Sequence, residues 1–297
     1  SGTLMKQLKD LLFGVSLKAV SGSTAIEVSE LCFDSRKVTG RDVFIAIRGT
    51  QADGHGFVDK ALEQGAVAVI CEALPAKLKD DVTYVEVADS QKALAIMAAN
   101  FYENPSRNLK LVGVTGTNGK TTVCSLLYQL FKSAGYKVGL ISTIRILVDE
   151  AEYETRLTTP DALTINRHLA LMNEAGVEYC FMEVSSHGIA QGRSEGLSFR
   201  GAVFTNDQEV WTKRIGEFNA YNLLAIYATA ALLGLETLET LQGVSKLKTV
   251  DGRFQYYLSK NSITAIVDYA HTPDAIKNVL STINALRTGN ENVITVV

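Results

Sequence analysis

Lys120 is the residue around which the clearest chemistry gathers. It ends the turn-forming part of Thr115-Gly116-Thr117-Asn118-Gly119-Lys120-Thr121-Thr122, which follows the apolar run Leu111 to Val114 and precedes a helical pattern. In such a Gly- and Thr-rich turn the backbone N–H groups converge on phosphate oxygens at the mouth of the next helix. An ammonium at position 120 reaches the terminal phosphates of a nucleotide, and the hydroxyl of Thr121 or Thr122 can ligate Mg²⁺. The common pattern asks for Gly five residues before the Gly-Lys pair; here that place is Val114, with glycines at 113 and 116. Gly-Lys-Thr alone is also what a plain turn before an amphipathic helix would show. Strand, glycines, Lys, paired Thr and helix together favour the phosphate loop.

Other polar clusters follow apolar runs. Glu183, in Met182-Glu183-Val184-Ser185-Ser186-His187-Gly188, ends a strand in the same unit as the loop and could reach the Mg²⁺ held by Thr121, since a hard cation prefers carboxylate oxygen. Its plain alternative is a turn cap, with His187 bonded to backbone. Arg193 is either a surface cation or a bidentate clamp for an anionic substrate. Thr158 and Thr159 stand before a helix start at Pro160-Asp161, which makes either a simple loop or a site for carboxylate or phosphate. Asp34-Ser35-Arg36 and Gln51-Ala52-Asp53-Gly54-His55-Gly56 also follow strands, and turn chemistry alone can account for each. Asp268-Tyr269-Ala270-His271-Thr272-Pro273-Asp274 leaves a strand and enters a helix, where α/β sheets bind ligands.

Positioning these groups takes alternating strands and helices. Helical spacing of Leu8, Leu11 and Leu12 predicts a helix over Met5 to Phe13, followed by strands over Val28 to Val38 and Val43 to Ile47. A short helix over Phe57 to Gln64 closes at Gly65; strands follow over Ala66 to Cys71 and Val82 to Val87. Ser90 is the expected N-cap of an Ala-rich helix to Tyr102. Beyond the break at Asn104-Pro105-Ser106 come the phosphate-loop helix to about Ser133, a strand at Val138 to Thr143, a helix over Leu163 to Glu174, and strands at Tyr179 to Val184 and Gly201 to Thr205. A long helix is expected over Phe218 to Leu233, then strands Arg253 to Leu258 and Ser262 to Tyr269, a helix Pro273 to Leu286 and a strand Asn292 to Val297. This alternation implies a mostly parallel sheet with helices on both faces and ligands at the strands' carboxyl ends.

Composition excludes several classes. The 297 residues are 46% hydrophobic and 21% charged, with a net charge of -3, which argues for a folded chain and against nucleic acid as the main partner. Cys32, Cys71, Cys124 and Cys180 form no Cys-x-x-Cys pair, so they read as buried thiols rather than as a zinc or disulfide framework. No run has membrane-spanning length, Met5 reads as a natural start, and the first residues lack signal-peptide order, so no membrane insertion and a cytoplasmic location are expected.

Taken together, these motifs resemble the Mur ligases, the ATP-dependent amide-forming enzymes of bacterial cell-wall precursor synthesis. The loop Thr115 to Thr122 matches the family's own departure from the common phosphate loop and by itself marks a superfamily that includes folylpolyglutamate synthases. The remaining clusters, in order and spacing, resemble the member that adds the third amino acid to UDP-MurNAc-L-Ala-D-Glu. The resemblance implies an α/β architecture of three domains: a UDP-substrate-binding domain over 1–107, a central parallel-sheet P-loop ATPase domain over 108–248, and the start of a C-terminal α/β domain over 249–297, truncated at Val297.

Carried over residue by residue, the resemblance implies that Phe33, Ser35, Thr50, Gln51 and Ala52 hold the uridine diphosphate end. Thr158, Thr159, Ser185, Gln191 and Arg193 would hold the muramoyl-peptide side. ATP would lie on Gly116, Thr117, Asn118, Gly119, Lys120, Thr121 and Thr122, with Asn219 and Asn222 at the adenine and Arg253, Asp268 and His271 approaching from the third domain. Thr121 and Glu183 would hold Mg²⁺, and Lys120 and Glu183 would carry catalysis through an acyl phosphate. The implied partners are UDP-MurNAc-L-Ala-D-Glu and a free amino acid, diaminopimelate or lysine, and the implied state is a monomer. The chain departs from the family after Ala202-Val203-Phe204-Thr205-Asn206. There the family continues with an Asp-His-x-Asp stretch and a carbamylated lysine, whereas this chain passes directly to Asp207-Gln208-Glu209-Val210-Trp211. Either a segment is skipped before Glu209, the favoured reading because Glu209 to Asn222 reads as its normal far side, or the chain lacks that segment and cannot turn over. Two rivals remain: another ligase of the superfamily, and a nucleotide-dependent binding protein without amide synthesis.

Overall fold

A computed structural model describes residues 4–49, 51–116, 120–155, 160–185, 192–205, 233–235, 255–258 and 264–267. The chain forms two compact units, one of Ser1–Asn108, Pro160–Leu171 and His187–Ser198, the other of Leu109–Thr159, Met172–Ser186 and Phe199–Val297.

In the first unit the elements are β1 (Lys6–Gln7), α1 (Leu8–Leu11), β2 (Leu17–Ser21), β3 (Glu27–Val28), β4 (Leu31–Cys32), β5 (Val43–Ile45), α2 (Val58–Glu63), β6 (Ala68–Cys71), β7 (Thr83–Val87) and α3 (Ser90–Phe101). A five-stranded sheet runs β2-β7-β6-β5-β4, with β7, β6, β5 and β4 mutually parallel and only β2 antiparallel. The loops after β4, β5 and β6 therefore leave from one edge, the edge where parallel sheets gather ligands. Leu94, Ala95, Met97 and Ala98 of α3 pack with Ile45, Ile70 and Val85 in the core, and Ala162 joins the same cluster. That apolar contact explains why Pro160–Leu171 belongs to this unit, although the sequence places it inside a continuous 108–248 segment.

Several local expectations change. The helix expected over Met5 to Phe13 is only Leu8–Leu11, because the residues before it pair as β1 with β3. The strand expected over Val28 to Val38 breaks into β3, β4 and a 3₁₀ turn at Ser35–Lys37, capped by the Asp34 carboxylate, which accepts from Arg36 N at 3.0 Å. The N-cap of α3 is Asp89 rather than Ser90: its carboxylate accepts from Lys92 N at 3.1 Å, and Ser90 is the buried first helical residue.

The second unit contains β8 (Lys110–Gly116), α4 (Lys120–Ser133), β9 (Val138–Ile141), β10 (Arg145–Val148), β11 (Ala151–Glu154), β12 (Tyr179–Glu183) and β13 (Phe199–Thr205). The helix α5 (Ala162–Glu174) starts in the first unit and has its last residues, from Met172, counted with the second. Asp161 caps it by accepting from Thr164 N and Thr164 Oγ1, each at 2.9 Å. The sheet order is β11-β10-β9-β12-β8-β13; the four strands from β9 to β13 are parallel, and the β10–β11 hairpin extends them antiparallel. The sheet is mostly parallel, as the alternation implied, and the antiparallel hairpin is the part the alternation did not announce. β8 runs to Gly116 rather than stopping at Val114, since β13 keeps pairing with it as far as Thr205 opposite Gly116.

On α4, Val123, Leu126, Leu127, Leu130 and Phe131 recur at i, i+3, i+4, i+7 and i+8 and form one buried stripe against Val112, Val114, Leu140 and Phe181. Phe131 lies 4.8 Å from the Tyr179 ring and 5.1 Å from that of Phe181. Truncating it to Ala would cost about 3–5 kcal/mol. Gly113 serves packing here: a Cβ would come within 3.1 Å of the Phe199 ring and 3.3 Å of Val184 Cγ2. Gln255–Leu258 (β14) and Thr264–Val267 (β15) pair antiparallel, inside the two strands expected there. The helices expected over 218–233 and 273–286 and the last strand lie outside the described residues, apart from Leu233 in the first of them. All four cysteines are buried and free, as the spacing suggested. Among the described residues no helix is long and apolar enough to cross a membrane.

Candidate active site

In the second unit, strand register sets the geometry. Pairing of β12 with β8 brings Glu183, the last residue of β12, opposite Val114, and Val184 N donates to Val114 O at 2.8 Å, while β8 runs on two residues to Gly116. Lys120 is the first residue of α4, next to the half-buried Thr121 and Thr122. The positive end of the helix dipole therefore lies where the chain turns out of β8. Thr121 Oγ1 donates to Glu183 Oε2 at 2.9 Å, across 62 residues of sequence. The same oxygen accepts from Thr143 N at 3.3 Å. Thr143 opens the turn between β9 and β10; its carbonyl accepts from Thr155 Oγ1 at 2.7 Å, while Ser142 Oγ donates to Arg145 O at 2.9 Å and braces the turn from within.

Sequence reasoning missed Thr143. It contributes a backbone N–H, which residue type cannot advertise; the only hint was its place at the end of an apolar run. Behind the site Cys124 is fully buried, and burial, then the Glu183 carboxylate, pushes its thiol pKa well up. It is an inert packing group rather than a nucleophile.

The pair of a Thr hydroxyl and a carboxylate fits a hard divalent cation such as Mg²⁺. Among the described residues no cluster of three His, Cys, Asp or Glu side chains could hold a metal. An ion on Thr121 and Glu183 would take its other ligands from phosphate and water, which is how Mg²⁺ commonly binds at nucleotide sites.

The first unit gathers a different set. Phe33 is exposed directly after β4, and Ser35 is buried as the first residue of the 3₁₀ turn. Arg36 grips Asp34 through two side-chain bonds of 3.0 and 2.9 Å. That hydrogen bonding lowers the Asp34 carboxyl from its ordinary 3.8 to about 2. Gln51 and Ala52 are exposed on the loop after β5, which closes through Gly49 N to Ala52 O at 2.9 Å and Gly54 N to Ile47 O at 2.8 Å.

The structure thus brings Lys120, Thr121, Thr122 and Glu183 together in one unit, with Gly116 ending β8 beside them. It brings Phe33, Ser35, Gln51 and Ala52 to one edge of the other. Ser185 follows two residues after Glu183 in the second unit, and Arg193 belongs to the first. Thr50, Thr117, Asn118, Gly119, Thr158, Thr159, Gln191, Asn219, Asn222, Arg253, Asp268 and His271 lie outside the described residues, as does the junction after Thr205.

Comparison with known proteins places three family segments along the chain. Sequence profiles match residues 27–102 ("Mur ligase family, catalytic domain"), 114–209 ("Mur ligase middle domain") and 252–297 ("Mur ligase, glutamate ligase domain"). A UDP-N-acetylmuramoyl-L-alanyl-D-glutamate--2,6-diaminopimelate ligase from Cytophaga hutchinsonii is 41% identical over 372 residues, covering 98% of this chain and 76% of the relative. That alignment is longer than the 297-residue chain, so the relative carries residues that this chain lacks. The ligase of the same name from Bacteroides fragilis is 39% identical, again over 98% of this chain and 76% of its own length. A solved structure with that enzyme name superposes with a TM-score of 0.67 over 95% of this chain and 74% of its own, at 21% identity, and shows the same fold. With three family segments in order and two-fifths identity over nearly its whole length, the chain belongs to the Mur ligase family.

Proposed function

We propose that this chain is an ATP-dependent, ADP-forming ligase that joins 2,6-diaminopimelate to UDP-MurNAc-L-Ala-D-Glu in peptidoglycan precursor synthesis. The observation that carries the reading is the Thr121–Glu183 bond of 2.9 Å beside Lys120 at the start of α4, in a chain 41% identical to a ligase of that name. The domain reading follows: 1–107 takes the UDP substrate, 108–248 takes ATP, and 249–297 begins the C-terminal domain. The enzyme acts in the cytoplasm as a monomer.

A carboxylate is a poor acyl donor, so the reaction first activates it. A substrate carboxylate oxygen attacks the γ-phosphorus of ATP; the bond to the β–γ bridging oxygen breaks, ADP leaves, and an acyl phosphate forms. The amine of the amino acid then attacks the acyl carbon, loses a proton, and expels inorganic phosphate. The Lys120 ammonium stabilises charge on the transferring phosphoryl group, and the start of α4 presents backbone N–H groups to the phosphates. Glu183, oriented by Thr121 and Thr143 through Oε2, keeps Oε1 for the cation. Mg²⁺ bound there with the Thr121 hydroxyl would neutralise phosphate charge. Phe33, Ser35, Thr50, Gln51 and Ala52 hold the uridine diphosphate, and Thr158, Thr159, Ser185, Gln191 and Arg193 hold the muramoyl peptide. Asn219 and Asn222 sit at the adenine, with Arg253, Asp268 and His271 toward ATP.

The test is phosphate release from ATP and Mg²⁺ with UDP-MurNAc-L-Ala-D-Glu, with diaminopimelate or lysine in separate reactions. Release that depends on diaminopimelate supports the proposal, and release that depends on lysine overturns the choice of amino acid. ATP binding with no amino-acid-dependent release favours the binding-protein reading, which the residues missing relative to the longer relative motivate.

A further inference from the structure

The sequence singled out His55, and none of the chemistry above uses it. Its imidazole is only 16% exposed and bridges two strand-end loops of the first unit. Glu72 N donates to Nε2 at 2.9 Å, and Nδ1 lies 2.7 Å from Asp53 Oδ1, which also accepts from His55 N at 3.0 Å. A backbone N–H aimed at Nε2 makes that nitrogen an acceptor. The ring is therefore neutral, with its proton on Nδ1 and donated to Asp53.

The two ends of this bridge matter. Asp53 closes the loop after β5 that carries Gln51 and Ala52, and Glu72 directly follows β6. That loop is folded tightly on itself, for a Cβ on Gly54 would lie 2.7 Å from Ile47 N. Arg48 Nε sits 4.0 Å from both Asp53 Oδ2 and Glu72 Oε2, but at 61% exposure it adds a screened surface contact. The sheet itself does not need the bridge: β5 and β6 pair through Val43↔Ala68, Phe44↔Val69 and Ile45↔Ile70. The imidazole instead restrains the loop, whose exposed arc offers Gln51 and Ala52 outward.

We propose that His55 is a positioning residue, a neutral imidazole that locks the Gln51–Asp53 loop to the end of β6 in the shape that binds the uridine diphosphate part of the substrate. The proposal rests on the reading that this loop holds that group. Locking the loop in advance lowers the ordering cost of binding.

The experiment compares the unaltered chain with His55→Ala and His55→Gln. Affinities for UDP-MurNAc-L-Ala-D-Glu and for ATP are measured by calorimetry, and ¹⁵N NMR reads the His55 tautomer. His55→Ala should weaken the UDP substrate by about tenfold or more while ATP binding holds, because a restraint and a hydrogen bond are lost in one unit only. In His55→Gln the side-chain oxygen can accept from Glu72 N, so affinity should stay within about threefold of the unaltered chain. A proton on Nε2, or equal affinity in His55→Ala and the unaltered chain, overturns the proposal. Equal losses in both variants overturn the acceptor role of Nε2. Failure of the unaltered chain to bind the UDP substrate while still binding ATP overturns the uridine reading and this proposal with it.

Discussion

The strand-end polar groups of the two units are wired differently. In the first unit they satisfy one another: Asp34 with Arg36, Asp53 with His55, His55 with Glu72. In the second, Thr121 and Thr143 both converge on one oxygen of Glu183, next to a lysine at a helix start. A closed set of local bonds makes rigid loops that can present backbone and small side chains to an extended ligand. A carboxylate with acceptor capacity to spare, set beside an ammonium and a helix dipole, is suited to a cation and the phosphates it accompanies. On the proposed reading, one α/β plan yields a recognition edge in one unit and a charge-handling edge in the other.

The sharpest way to break that contrast is Lys120→Ala. Phosphate release should fall by about 100-fold or more through loss of transition-state charge stabilisation, while affinity for the UDP substrate stays near that of the unaltered chain. Loss of both together would contradict the assignment of two sites to separate units.

Glu183→Gln comes next. Glutamine can still accept from Thr121 and Thr143 but carries no charge, so turnover should drop by about 10- to 100-fold with a higher half-saturating Mg²⁺ concentration. A magnesium titration of phosphate release checks this. Chelating the metal from the unaltered chain should likewise stop release and leave UDP-substrate binding intact.

Gly54→Ala reaches the other side of the comparison. Its Cβ would press on the Ile47 backbone, so the first unit should lose about 1–3 kcal/mol and with it some UDP-substrate affinity. Denaturant unfolding read beside ATP binding separates that loss from damage to the second unit.

Asp34→Asn should have the smallest effect. The Asp34 carboxyl is lowered from 3.8 to about 2, so its contribution to stability is complete above pH 3.8 and is lost as pH falls through about 2. A pH series of unfolding should show a shallower acid slope in the variant over that window, by a small amount for so exposed a pair.

Much of this was legible in the residue order. The 3.6-residue stripe on α4 announced a helix over the phosphate-loop strand, and its apolar face is the buried one. Strand β2 escaped notice because Leu17 and Val20 stay exposed on an edge, so no buried face left a pattern. The β10–β11 hairpin was missed as well, with β11 exposed along its whole length. Asp89 and Ser90 are both good caps by type, and only backbone geometry chose between them.

Of the candidate sites, residue type and spacing alone singled out Lys120, the paired threonines and a carboxylate at a strand end as candidates, because phosphate and a hard cation call for those groups. They could not fix which oxygen of Glu183 takes the Thr121 hydroxyl, nor that Thr143 N joins it, nor that His55 is held neutral between Asp53 and Glu72. Those are contacts across 62, 40 and 17 residues, set by strand register and loop closure. Backbone donors carry no signature in the sequence, and only tertiary structure brings them to their acceptors.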